Sequence, residues 1–105
     1  MESAGPEAVF TALSDPTRRG LLATIGTRPA TATELASKLP ITRQAVVKHL
    51  GALAEAGLVD RERAGREVIY RLTPAPLSAA VSWMAEVGGQ WDQRLARLVR
   101  AVERG

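Results

Sequence analysis

The feature that most constrains this chain is a change of hydrophobic period at one residue. Before Gly57, Val46, Leu50 and Leu53 recur at helical spacing, and after it residues 58–63 and 67–72 alternate as strands do. Side chains at period 3.6 share one face of a helix, and side chains at period two share one face of a strand. The fold therefore joins a helix directly to a hairpin. Gly57 is the natural C-terminal stop of that helix. The "AGR" at 64–66 makes a short hairpin loop, with glycine free to take positive φ. Val68, Tyr70 and Leu72 share one strand face, and Ile69 and Arg71 the other.

Upstream, three more helices are legible. Val9, Phe10 and Leu13 fit a short first helix. Asp15 caps and Pro16 opens a second, whose stripe is Leu21, Leu22 and Ile25. Thr31 and Glu34 form a capping box for a third of about two turns, which buries Leu35, Ala36 and Leu39 and closes at Pro40. Thr42 then caps the helix that runs to Ala56. At about 100° per residue, Arg43, Gln44, Val47, Lys48 and Gly51 lie opposite its buried stripe, with His49 on the margin.

Two short helices joined by "LPIT", the second with a polar N-terminal face, form a helix-turn-helix pattern, although a plain helical hairpin has similar spacing. The hairpin that follows raises the reading to a winged helix. The expected fold is mainly α with a small β-hairpin, in the order α-α-α-α-β-β-α, as one domain over residues 1–105. Within it the helix-turn-helix spans about residues 31–56 and the wing about 58–72. An exposed helix face suits the major groove, and a basic hairpin beside it suits the flanking phosphates.

Composition narrows the function. With no cysteine and His49 as the only histidine, disulfides, thiolate metal sites and a histidine-based triad are unsupported. No acid–base pair with a nucleophile emerges, so the chain is not expected to be an enzyme. Twelve of the fourteen basic residues are arginine, which suits phosphate and guanine, although an ordinary arginine-rich surface has the same composition. The N-terminus lacks a signal-peptide pattern and no long apolar run exists, so a cytoplasmic location and no membrane partner are expected.

The last segment, about residues 75–103, is helical again, with Leu77, Val81, Met84, Val87, Trp91, Leu95, Leu98 and Val102 at three- or four-residue spacing. Gly88-Gly89 is expected to kink or break it, since each glycine costs about 1 kcal/mol in a helix interior. Trp83 widens the stripe beyond what so small a core needs. The tryptophans serve core or dimer packing, or else line an effector pocket. Glu86, Asp92 and Glu103 are solvated helix carboxylates rather than a cation site.

Taken together, "LSDPTRRGLLATI", "TATELASKLPITRQAVVKHLGALAEAGLV" and "RERAGREVIYRL" resemble the ArsR/SmtB family of winged-helix bacterial transcriptional repressors, and "WDQRLARL" is similar to the ending of its non-metal branch. The resemblance implies a homodimer that pairs first and last helices, with Val9, Phe10, Leu13, Val81, Met84, Trp91, Leu95 and Leu98 at the contact. It implies a palindromic double-stranded DNA operator read by Thr42, Arg43, Gln44, Val47, Lys48 and His49, with Arg61, Arg63 and Arg66 from the wing. Metal-sensing members of the family carry cysteines where this chain has "ELASKL", or histidines and acids in the last helix. Neither the thiols nor the histidines are here, so no metal and no cofactor are expected, and a small-molecule effector is left open.

By residue chemistry Gln44 suits adenine, Arg43 or Lys48 suits guanine or phosphate, and Val47 suits a thymine methyl. His49 is either a packing or capping residue or a phosphate contact. Arg18 and Arg19 are read as surface residues of the second helix, with contact to the sugar-phosphate backbone as the lesser alternative. The alternative function is a winged-helix module that binds protein and not DNA.

Overall fold

The structure, a computed structural model, describes residues 6–104, without the side chains of Trp91, Leu95, Glu103 and Arg104. Its elements are α1 (Pro6–Ala12), α2 (Pro16–Thr27), β1 (Ala30–Thr31), α3 (Ala32–Lys38), α4 (Arg43–Glu55), β2 (Val59–Ala64), β3 (Glu67–Leu72) and α5 (Pro74–Arg104). The three antiparallel strands lie in the order β1-β3-β2. This is the winged helix-turn-helix, with one strand more than the sequence pattern announced. β1 pairs Ala30 with Tyr70 and Thr31 with Ile69. Two residues are too short to display a period, so the strand has no sequence signature of its own.

Local chemistry sets the element ends. The Thr31 hydroxyl accepts from the Glu34 amide at 3.1 Å, and the Glu34 carboxylate accepts from the Thr31 amide at 2.9 Å, so the capping box is complete. α4 ends in a Schellman motif: the Gly57 amide donates to the Ala54 carbonyl and the Leu58 amide to the Leu53 carbonyl. Gly57 has φ +77°, and the two apolar side chains that flank it in this motif, Leu53 and Leu58, are fully buried. At the wing tip Gly65 has φ +65° while Arg66 does not have positive φ, the pattern of a type II′ turn between paired Ala64 and Glu67.

The core gathers one stripe from each element: Val9, Leu21, Ile25, Leu35, Val46, Leu50, Leu53 and Leu58 are its fully buried large side chains. Val9 therefore faces into its own chain at 1% exposure, and Phe10 and Leu13 are the α1 residues left at the rim for any second copy. Among the described residues Ala80 is the last core member along α5. Beyond it the helix projects away, and the molecule's long dimension reaches 69 Å.

Of the kink or break expected at Gly88-Gly89, the break does not occur, since one helix spans Pro74–Arg104. A cost of about 1 kcal/mol per glycine is outweighed by good helix formers on both sides, with no proline or asparagine nearby to capture the chain in a turn. Trp83 is half exposed and meets Phe10, ring centroids 5.6 Å apart at 55°. It thus ties the start of α5 to α1.

Candidate nucleic-acid interface

α4 is held in a definite roll about its axis. Val46, Leu50 and Leu53 are fully buried on one side, which turns Arg43, Gln44, Val47 and Lys48 outward. Val47 is 40% exposed, unusual for valine on a helix whose other apolar side chains are covered. Thr42 caps the helix, its hydroxyl accepting from the Ala45 amide at 3.1 Å, and remains exposed. Arg43 is drawn sideways, where its Nε donates to the Thr33 hydroxyl of α3 at 3.1 Å.

His49 does not share that face. It is half buried, and its Nδ1 lies 3.3 Å from Oδ2 of Asp15, the N-cap of α2. Asp15 also accepts from the Thr17 amide and lies 3.9 Å from Arg18. This contact fastens α4 to the start of α2, a packing role of the kind the sequence allowed for His49.

The strand register sorts the wing's mixed charges. Directly opposed residues share a sheet face, so Arg61 beside Tyr70 and Arg63 beside Val68 lie on the face that looks toward the core and α4. Asp60 beside Arg71 and Glu62 beside Ile69 lie on the other. There the Arg71 guanidinium donates to Glu62 at 3.0 Å. Arg66 stands at the hairpin tip. Between α4 and the wing is a concavity of about 290 Å³, bordered by Thr31 to Thr33, Arg43, Val47, Arg66 to Val68 and Tyr70. The groove therefore has one arginine on its helix side and one on its wing side.

Sequence reasoning missed the work of Arg18 and Arg19. Arg18 Nε donates to the Ala12 carbonyl at 2.7 Å and its terminal nitrogen to the Thr11 carbonyl at 3.2 Å, while Arg19 donates to the Leu13 carbonyl at 2.7 Å. They donate to carbonyls at the C-terminal end of α1, where that of Thr11 also accepts from Ser14, and their charge suits that end of the dipole. The available signal was "DPTRR" just after a helix too short to cap itself.

Of the proposed contact residues between copies, Val81, Met84 and Leu98 are exposed on α5, along with Val99 and Val102. The side chains of Trp91 and Leu95 lie outside the described residues, as does that of Glu103. Among the described residues no three histidine, cysteine or acidic groups gather as metal ligands, and no helix is long and apolar enough to cross a membrane.

A family model described as a helix-turn-helix domain matches residues 13–62. The transcriptional repressor SdpR of Bacillus subtilis is 31% identical over 83% of this chain and 97% of its own length. The helix-turn-helix-type transcriptional regulator Rv2034 of Mycobacterium tuberculosis is 39% identical over 70% of this chain and 69% of its own. Among solved structures, an ArsR-like transcriptional regulator from Rhodococcus sp. RHA1 superposes with a TM-score of 0.79 at 42% identity, covering 89% of this chain and 88% of that one.

Proposed function

The chain belongs to the ArsR family of winged-helix, DNA-binding transcriptional regulators, which are not enzymes, and we propose that it is a homodimeric repressor of a palindromic operator. The observation that carries this reading is the orientation of α4. Its buried stripe leaves Arg43, Gln44, Val47 and Lys48 together on an open face, next to a wing with Arg61 and Arg63 on the side facing α4.

In this reading α4 enters the major groove, which is wide enough for a helix. Gln44 pairs with adenine through its amide, Val47 packs on a thymine methyl, and Lys48 reaches guanine or phosphate. Arg61, Arg63 and Arg66 hold flanking phosphates, while Thr42 adds a backbone contact from its capping position. His49 fixes the helix from behind rather than touching DNA, given its place beside Asp15.

The dimer rests on α5. Val81, Met84, Leu98, Val99 and Val102 are apolar and exposed on a helix that leaves its own core after Ala80. A stripe of that length needs a partner, and a second copy related by a twofold axis provides the same stripe. Two α4 helices would then meet half-sites about one turn of duplex apart. Action as a repressor is supported by the likeness to SdpR over nearly all of that protein's length. Its place of action is the cytoplasm, where the chromosome lies. Because the chain offers no thiol and one imidazole, already engaged with Asp15, control is independent of soft metals.

The test is duplex binding by the full chain at several salt concentrations, with an operator selected from random-sequence DNA. The apparent affinity should fall steeply with salt, and the selected sequence should be an inverted repeat. Gln44→Ala should lose discrimination at particular base pairs by about 1–3 kcal/mol. Selection that returns no common sequence, or binding indifferent to salt, refutes the proposal.

A further inference from the structure

Arg43, the first residue of α4, starts on the open face with Gln44, Val47 and Lys48, but its guanidinium is turned aside toward α3. Its Nε–H is committed to the Thr33 hydroxyl at 3.1 Å. A guanidinium carries five N–H donors in a rigid planar fork, so this bond fixes the plane and leaves the four terminal N–H groups free to act. The tether pulls the fork off the helix and toward the concavity of about 290 Å³ between α4 and the wing.

Arg66 borders the same concavity from the hairpin tip. Two like charges directed at one hollow are stabilised when an anion sits between them. Glu67 also borders the hollow and offsets part of that charge. A base edge engages one arginine at a time through a fixed pair of acceptors. A phosphodiester offers two non-bridging oxygens that accept from several directions, so two arginines approaching from opposite walls match it better.

We infer that Thr33 is a positioning residue: its hydroxyl holds the Arg43 guanidinium over the hollow between α4 and the wing, where Arg43 and Arg66 together grip one backbone phosphate of the operator. Arg43 is then a phosphate contact and not a base reader, and sequence is read by Gln44, Val47 and Lys48. The inference rests on the DNA-binding reading above and divides the labour among its residues.

The variants are Thr33→Val, which keeps the shape and removes the acceptor, Thr33→Ser, which keeps the hydroxyl, Arg43→Ala, and the Thr33→Val/Arg43→Ala double. Affinities are measured on the selected operator and on a panel of its point-substituted forms, at several salt concentrations. Thr33→Val should weaken binding by about three- to tenfold, the scale of one exposed hydrogen bond, and Thr33→Ser should restore it. Thr33 is exposed, so the thermal midpoint of Thr33→Val should match the parent.

Arg43→Ala should weaken binding to every duplex in the panel by the same factor and lower the salt slope by about 1. On that background Thr33→Val should have no further effect. Loss of base preference at one position in Arg43→Ala overturns the inference, as does a Thr33→Val effect that persists without Arg43. Those results leave the DNA-binding reading intact if Gln44→Ala still loses discrimination, whereas failure of the parent chain to bind any duplex removes both.

Discussion

Two glycines of one segment should respond to alanine in opposite directions. Gly57 sits at φ +77° and closes the Schellman motif at the end of α4. A residue with a Cβ pays about 1–2 kcal/mol to hold the left-handed conformation. An added Cβ would meet Pro76 Cγ at 3.6 Å, an ordinary contact, so the backbone term stands alone. Gly51 lies inside α4, and a Cβ there meets nothing within 4 Å. Alanine should stabilise that position by about 0.5–1 kcal/mol, because glycine loses more freedom on entering a helix.

The size of the response in temperature follows from chain length. Unfolding entropy is about 2.1 cal/mol/K per residue, or roughly 0.22 kcal/mol/K over 105 residues. Gly57→Ala should therefore lower the thermal midpoint by about 5–9 °C, and Gly51→Ala should raise it by about 2–5 °C. Melts followed by circular dichroism at one protein concentration give both values, since the midpoint of an associating chain depends on concentration. Gly57→Asn, which tolerates this conformation better, should fall between parent and alanine. An unchanged or raised midpoint for Gly57→Ala would refute the capping argument. A shift of both alanine variants in one direction would refute the contrast.

Leu98 is 61% exposed, so Leu98→Glu should leave the single chain folded yet shift sedimentation at micromolar concentration from twice the chain mass to once; a retained dimer would move the contact away from α5. The Glu34 carboxyl is held below the usual carboxylate range, first by the Thr31 amide it accepts from and then by the Thr31 hydroxyl. Its share of stability is full above the ordinary glutamate pKa and lost as pH falls through the lowered folded value. The stability gap between parent and Glu34→Gln, read from urea melts, should therefore close on acidification, and a gap that is constant with pH contradicts the capping box as its source. Operator affinity should be unchanged by zinc, cadmium, copper or arsenite at fixed salt, and release by a stoichiometric amount of any of them would point to a site shared across two copies.

How much was legible in the sequence depended on how local each signal was. The capping box at Thr31 and Glu34, the stop at Gly57 and the turn at Gly65 are written within a few residues, and each appears where the chemistry puts it. The buried stripe of α4 was equally plain, and with it the outward face of Arg43, Gln44, Val47 and Lys48. What escaped depends on partners distant along the chain. His49 finds Asp15, Arg43 finds Thr33, and β1 exists only because β3 lies beside it. The inward turn of Val9 was hidden for a similar reason: α1 is too short for its stripe to indicate which of Val9, Phe10 and Leu13 the core will take. Gly88-Gly89 misled because a local helix penalty is small against the propensities of the long run around it.

The strand order has a consequence for solubility. β3 is flanked on both sides and β1 has two residues, so the long open edge of the sheet is that of β2. Unpaired amide and carbonyl groups along such an edge are a template for a strand from another molecule. Along β2 that edge carries Asp60, Arg61, Glu62 and Arg63 in succession, all exposed. Alternating charge of this kind opposes stacking of one wing on another, because every register that keeps the two sheet faces aligned sets residues of like charge opposite one another. The arginines proposed above to meet phosphates thus also oppose polymerisation of the free protein through its wings. Neutral β-branched residues at both Arg61 and Arg63 would remove a proposed DNA contact and a barrier to aggregation at once, so the wing can lose charge safely only where the edge keeps some.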